Sequence, residues 1–328
     1  MRKSSPQILL LGLFALLLIL IIYSANSGAL KLSFIQLMNM SFDHPLWNIW
    51  CNIRLPRIIL AIIVGMALAS AGAVMQGLFR NPLADPGLLG ISSGASLMVG
   101  ITILFPAVFP PIMMLYGKMV AAFAGSLFIC ALIYLYSLNE QCNLAKMILL
   151  GVAINAIIGA VMGGLSYISD ESQLRQISLW SMGHLGKGSW DLVIVSLSLI
   201  FPALLCLIKL AHQLNILQLG DEDAHYLGIN VERTKRYLLL LCAVLIGASV
   251  AVSGIIAFVG LVVPHMIRLQ IGANHKWLIP GSALGGACLL LLADTLARTL
   301  VAPTEIPVGL LTSLIGGPYF LWLILRHK

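Results

Sequence analysis

Ten stretches of this chain are apolar over lengths near that of a bilayer, and this dictates most of what it can become. In hydrocarbon every backbone N–H and C=O must be satisfied within the structure, which leaves helices or a closed barrel. A spanning helix needs about 20 mostly apolar residues. The stretches fall near 8–23, 58–79, 88–105, 112–136, 145–167, 192–210, 237–253, 255–267, 279–296 and 306–325. The third and eighth are short, and Pro264 breaks the eighth. Residues are 60% hydrophobic and 9% charged, against about 25% charged in soluble domains. The expectation is an all-α polytopic membrane protein of ten transmembrane helices, one domain over residues 1–328.

Charge placement follows from that. A net charge of +7 marks membrane sidedness rather than nucleic acid, because Lys and Arg concentrate on the cytoplasmic side. With the N-terminus inside, the larger share of the basic residues falls inside, and both termini are cytoplasmic. Lys31, Arg54, Arg57, Lys118, Arg175, Lys187 and Arg298 fall outside, against the rule, and call for a reason. The first residues imitate a secretory signal, with Arg2 and Lys3, an apolar run and small residues 24–29. Because the run is long and all that follows is membranous, it reads as a retained first helix. The six cysteines are scattered without a Cys-x-x-Cys pair. They suit small packing residues, and give no support to a metal cluster or a disulfide framework.

Residues 65–94 begin as an apolar helix with small residues on most turns. They end as a Pro/Gly-broken stretch with Arg80, Asn81 and Asp85. Small residues let helices approach closely in lipid. Irregular backbone survives at membrane depth only where protein or a wet path satisfies it. Part of the pattern returns later at one constant offset: Gly65 with Gly247, Ala69 with Ala251, Gly72 with Gly254, Pro82 with Pro264 and Gly90 with Gly272. The copies open at the second and seventh spans, so they point in opposite directions. That is an inverted internal repeat, with halves of about 58–167 and 237–325, as in many transporters.

No catalytic constellation is present. The seven histidines form no His-x-x-x-His or His-Glu-x-x-His pattern, and no Gly-x-x-x-x-Gly-Lys-Ser/Thr phosphate loop exists. The chain is expected to be a transport component without a cofactor, not an enzyme. Ion-coupled carriers place ionisable groups at mid-membrane, where this chain is nearly bare. Asp294 is the exception, and a local pair with Arg298 four residues on is the simple account. Energy then comes from elsewhere. The polar loop 212–236 holds an acidic cluster, an apolar step and a glycine stop, which suggests a short amphipathic helix where a driving partner docks.

Several motifs, in order over nearly the whole length, resemble permeases of the FecCD type, the membrane subunits of importers for iron chelates, haem and cobalamin. They are Arg54-Leu55-Pro56-Arg57; the 65–94 segment with Gln76 and Asn81-Pro82-Leu83; Leu149-Leu150-Gly151-Val152-Ala153; Trp180-Ser181-Met182-Gly183; and the loop 219–228. Gly254 through Arg268 follows, with Gly260-Leu261-Val262-Val263-Pro264-His265, then Leu292-Ala293-Asp294 with Arg298, and Glu305-Ile306-Pro307-Val308-Gly309. The resemblance implies a cobalamin-importer-permease-like fold and a homodimer in the bacterial inner membrane. Two separate ATP-binding-cassette ATPase subunits would sit inside, and a periplasmic or surface substrate-binding protein outside. It also implies residue roles: Arg54, Arg57 and Arg298 meet acidic residues of the binding protein. Gly220, Asp221, Glu222, Ala224 and Gly228 form the coupling helix. Asn81 and Leu83, with Asn143 and Leu144, close the cytoplasmic mouth, although Asn143 departs from the small hydroxyl residues usual there.

Substrate choice is the least constrained. Arg175 in the Gln-Leu-Arg before Trp180 could draw the propionates of haem or an anionic chelate, or pair with Asp170 or Glu171. Met182 and His184 lie where they could touch haem iron, or serve only packing. The order of expectation is haem, then ferric siderophore, with cobalamin as an alternative. An ion-gradient-driven secondary transporter is the rival of a different class.

Overall fold

The computed structural model describes residues 5–28, 40–41, 44–106, 113–137, 144–186 and 188–326. Within them the chain forms helices α1 (Pro6–Asn26), α2 (Pro45–Leu78), α3 (Ile91–Leu104), α4 (Met113–Ser137), α5 (Leu144–Ile168) and α6 (Glu171–Ser181). It continues as α7 (Trp190–Leu217), α8 (Asp221–Tyr226), α9 (Val231–Ser253), α10 (Val259–Ile271), α11 (His275–Ala297) and α12 (Val308–Arg326). Seven of these are long and apolar enough to cross a membrane, and three shorter apolar helices accompany them, around α3, α10 and α12. Each of the ten expected stretches lies on one of these ten helices.

Local chemistry sets the helix starts. Pro6 and Pro45 stand in first turns, where the missing N–H is no loss. Asp170 and Gln173 build a capping box at α6, while Ser189, Asn230 and Asn274 cap α7, α9 and α11 with side-chain oxygens. A π segment, Trp50–Arg54, precedes the regular turns of α2 from Leu55 onward. The long polar loop contracts to the six-residue α8.

Two contacts fix the direction of the helices. Asp221 at the start of α8 pairs with both Arg80, just beyond the C-terminus of α2, and Lys235, in the first turns of α9. The end of α2 and the start of α9 therefore share one face, and the two helices run antiparallel. The opposite end of α2, at Arg54 and Arg57, meets the ends of α1 and α11. Both α1 and α12 consequently have their other ends, at Pro6 and Arg326, on the face of α8.

The two short helices complete an inverted arrangement. α3 starts beside Asn155 in the middle of α5 and ends at α6. α10 starts against Gly72 and Gln76 in the half of α2 nearer α8 and runs toward the face of α8. Each is opened by a left-handed residue, Gly90 at φ 79° and Phe258 at φ 66°. The order of a long helix, a half-length helix and two further helices thus occurs twice, with opposite sense. The constant-offset pairing expected from sequence fits only partly. Gly65 and Gly247 both sit mid-helix, but Gly72 is interior to α2 while Gly254 follows the last residue of α9. Pro82 is in a connection while Pro264 is inside α10. The lengths of the connections differ between the halves, so register drifts after the first helix.

α2 is the core. From Pro56 to Leu78 almost every residue is buried, and it packs on α7, α9, α10 and α11. Glycine makes the approaches possible: Gly65 lies against the backbone of Gly286 in α11, and Gly72 against that of Gly260 in α10. A Cβ at Gly72 would run into the Gly260 carbonyl. Without a hydrophobic force between helices in lipid, such close contact supplies the association. Gly72→Leu is therefore expected to lose the monodisperse peak in detergent size-exclusion chromatography, whereas Gly12→Leu, with nothing within 4 Å of its Cβ site, elutes like the parent. Equal behaviour of the two variants would contradict this packing account.

Candidate functional site

Three regions along the bundle axis carry the polar chemistry. At the end away from α8, Arg57 lies between two carboxylates. Its Nε and Nη2 donate to Asp294 at 2.9–3.1 Å, and its Nη1 donates to both oxygens of Glu305 at 2.8 and 3.0 Å. Asp294 is fully buried and Arg57 nearly so, whereas Glu305 is half exposed. Arg298 donates to the Ser24 and Ser27 carbonyls, and its Nε stands 3.6 Å from Asp294. Arg54 donates to the Ala25 carbonyl at 2.8 Å.

One sequence expectation changes here. The main partner of Asp294 is Arg57 on α2, with Arg298 the more distant. Arg54, Arg57 and Arg298 are each at most 7% exposed and are spent on internal partners. Their role as docking residues stays an expectation beside these internal bonds. They tie the ends of α1, α2 and α11 together. The half-exposed Glu305 is the side chain of this cluster that reaches the surface.

Beside the cluster, three glycines join the end of α6, the end of α9 and the start of α12. A Cβ at Gly183 would strike the Ile255 carbonyl, one at Gly254 the Trp180 carbonyl, and one at Gly309 the Met182 carbonyl. His184 N–H donates to Ser253 at 2.7 Å in the same node, leaving its ring part-exposed. Met182 is 40% exposed. Arg175 is exposed on α6; among the described residues no ion pair joins it to Asp170 or Glu171, and the Asp170 carboxylate is taken by the N–H of Gln173 and the hydroxyl of Ser172. Those bonds hold the Asp170 carboxyl below its ordinary range. The three pathway candidates Arg175, Met182 and His184 thus share this end of the bundle.

At mid-depth, Asn155 of α5 bonds Ser93 Oγ and donates to the Gly87 carbonyl at 3.2 Å, holding the opening of α3. Below this, Pro82 and Leu83 line a narrow crevice with Leu261, His265, Tyr319 and Phe320. Asn81 braces this turn by accepting from the Leu83 N–H at 2.9 Å, and Leu83 is 38% exposed. Asn143 lies outside the described residues, and Leu144 opens α5 with its side chain undescribed, so their half of the expected closure stays an expectation.

At the α8 face, Asp221 accepts from Arg80 and Lys235, each at 2.6 Å. Arg80, at a left-handed φ of 48°, also donates to the Leu217 carbonyl. Partial burial pushes the Asp221 pKa up, but the Lys235 and Arg80 cations outweigh it and hold the carboxyl below its ordinary range. Gly220 and Gly228 bound the helix at φ 144° and 84°. Ala224 is fully buried and seats α8 on the bundle, while Glu222, Tyr226 and Leu227 face outward. The short amphipathic helix expected in this loop is present.

Sequence reasoning missed the Arg57–Asp294–Glu305 cluster, the Asn155 link and a bond from Gln218 to His275 that joins α7 to α11. The available signal was the cost of a polar side chain in a span, which demands a partner; only the identity of the partner needed three dimensions. Among the described residues no three His, Cys, Asp or Glu side chains gather as metal ligands.

Residues 16–326 match the FecCD transport family model. The chain is 62% identical over 326 residues to the hemin transport system permease protein HmuU of Yersinia pestis, covering 99% of this chain and 98% of that one. It is 39% identical to the vitamin B12 import system permease protein BtuC of Vibrio vulnificus, over 97% and 93% of the two chains. Among solved structures, a transporter described as of the metal-chelate ABC type, in an inward-facing conformation, superposes with a TM-score of 0.88 at 34% identity, over 98% of this chain and 100% of that one.

Removing one partner of a buried ion pair costs about 3–5 kcal/mol, because the other charge is left uncompensated. Asp294→Ala is expected to lower stability by that order in denaturant titrations in detergent, and Glu305→Gln, at the half-exposed position, by under about 1 kcal/mol. A larger loss from the Glu305 variant would refute the ranking. A depressed carboxylate contributes above its unfolded pKa and is lost as pH falls through the folded value. Hydrogen exchange of α8, corrected for intrinsic rates, should therefore stay constant from neutral pH down to the ordinary carboxylate range and rise only below it. Asp221→Asn should be fast throughout.

Proposed function

This chain belongs to the FecCD transport family, and from that premise we propose that it is the permease subunit of an ATP-driven importer of haem. The observation that carries the substrate is the 62% identity, end to end, with a hemin permease. Arg175, Met182 and His184 at one end of the bundle suit an iron complex with anionic arms, with Arg175 attracting propionates before the complex enters. Ferric siderophore, and cobalamin after it, are the alternative cargoes, and their relatives share the fold at lower identity.

The face of α8 is cytoplasmic, which puts Arg80, Arg233, Lys235, Arg236, Lys276 and both helix termini on the side where basic residues accumulate. The protein acts in the bacterial inner membrane. The ATPase docks on α8, where Glu222, Tyr226 and Leu227 project around the seated Ala224. A binding protein delivers cargo at the opposite face, onto a surface that includes Glu305 and α6.

Two copies assemble along α5. Its Leu149, Ile157 and Val161 are exposed, and Gly159, Gly163 and Gly164 have nothing within 4 Å of their Cβ sites. A Gly-x-x-x-Gly face of this kind admits a second helix closely. The cargo then passes between the copies, and Leu83 closes the cytoplasmic end until ATP is used. The chain makes and breaks no covalent bond.

The deciding experiment is reconstitution with the cognate ATPase and binding protein in liposomes. ATP-dependent haem uptake, undiminished by excess ferric siderophore or cobalamin, is the expected result. Uptake that follows an imposed ion gradient without ATPase would mean a secondary carrier. Tyr226→Ala with Glu222→Lys is expected to weaken ATPase co-purification by roughly 30-fold, as for an interface anchor, with the melting temperature unchanged.

A further inference from the structure

A cleft of about 660 Å³ opens between α4 and α9 at the α8 face, apart from the cargo path and from α8 itself. Its shaft is apolar, walled by Leu127 and Cys130 of α4 and by Leu239 and Leu240 of α9. Leu127 precedes Tyr134 by two helical turns, and Leu240 follows Arg233 by two, so the shaft runs about 10 Å into the membrane. The mouth is basic and aromatic. Arg236 stands over the Tyr134 ring at 5.7 Å and Arg233 over the Tyr237 ring at 5.5 Å. Arg233 also donates to the Tyr237 hydroxyl from Nε and Nη2, each at 3.3 Å.

We propose that this cleft binds an anionic phospholipid from the leaflet at the α8 face, with its phosphate at Arg233 and Arg236 and an acyl chain along the shaft. Charge complementarity favours an anion. Glu232 also lines the mouth and takes Arg236 at 3.0 Å, so one carboxylate faces two guanidiniums and a positive charge is left. Among the described residues Arg233 pairs with no carboxylate. Lys235, between them in sequence, is turned away and held by Asp221. Rings at Tyr134 and Tyr237 mark the level of the headgroups, and basic pockets between membrane helices suit anionic headgroups. A soluble anion would leave the shaft unused; a lipid fills shaft and mouth together.

The test is native mass spectrometry of the full-length protein in mild detergent, with phosphatidylglycerol, cardiolipin or phosphatidylcholine added. The expected result is preferential retention of the anionic lipids, reduced roughly tenfold in Arg233→Gln/Arg236→Gln but not in Lys209→Gln, which removes a cation from exposed α7. Leu127→Trp/Leu240→Trp, which fills the shaft and keeps both arginines, should lose the same lipids, so the proposal stays open to refutation if the arginine variant misfolds. Equal retention of phosphatidylcholine, unchanged retention in both double variants, or displacement by inorganic phosphate alone would overturn it.

Discussion

A guanidinium buried at the end of a membrane bundle must have its charge answered, and Arg57 meets that demand from two directions. Asp294 comes from the far end of α11, and Glu305 from the connection into α12. Asp294, fully buried, would not be tolerated there without the arginine, since an uncompensated buried charge costs several kcal/mol. The interaction is directional, because a planar fork accepts carboxylates only along its N–H bonds. It therefore fixes how α2 stands against α11 where glycine packing would otherwise let the helices slide. Arg298 and Arg54 then capture the carbonyls at the end of α1, which joins an otherwise exposed helix to the core.

With that end fixed, the rest of the bundle is arranged around α2. Its glycines admit α11 and α10 at backbone contact, and the half-length α3 and α10 leave backbone at mid-depth to be satisfied by side chains. Asn155 serves the opening of α3, and Gln76 donates to the Leu261 carbonyl at the opening of α10. Interrupted helices of opposite sense, each stabilised by an amide from a neighbouring long helix, are the form that inverted repeats take around a path.

The sequence was legible wherever one segment alone decides the outcome. Apolar runs gave all ten helices, and the shortness of the third and eighth anticipated α3 and α10. The acidic step with its glycine stop gave α8. What stayed hidden were pairings between distant segments: Asp294 has a basic residue four positions on, which hid the better partner 237 positions away. The internal bonds of Arg54, Arg57 and Arg298 were hidden as well, because a sequence shows charge but not burial. The repeat was visible in its first glycines and then lost register, since connections of unequal length shift numbering without disturbing helix order.

One helix touches both ionic clusters. Arg57 stands near the start of α2, away from α8, and Arg80 just beyond its other end, where it grips Asp221 of α8. The 24 residues Leu55–Leu78, which include Arg57 and end two residues before Arg80, form an unbroken α-helix, about 36 Å long. Any displacement of α8 must therefore either break the bridges at Asp221 or draw the end of α2 with it. Breaking them exposes two cations to water at modest cost, since all three side chains are partly solvated. The Arg57–Asp294 cluster, buried, resists far more. Force applied at α8 meets a compliant joint on its own side and a stiff one on the other, so movement concentrates at the α8 end, beside the turn that carries Leu83.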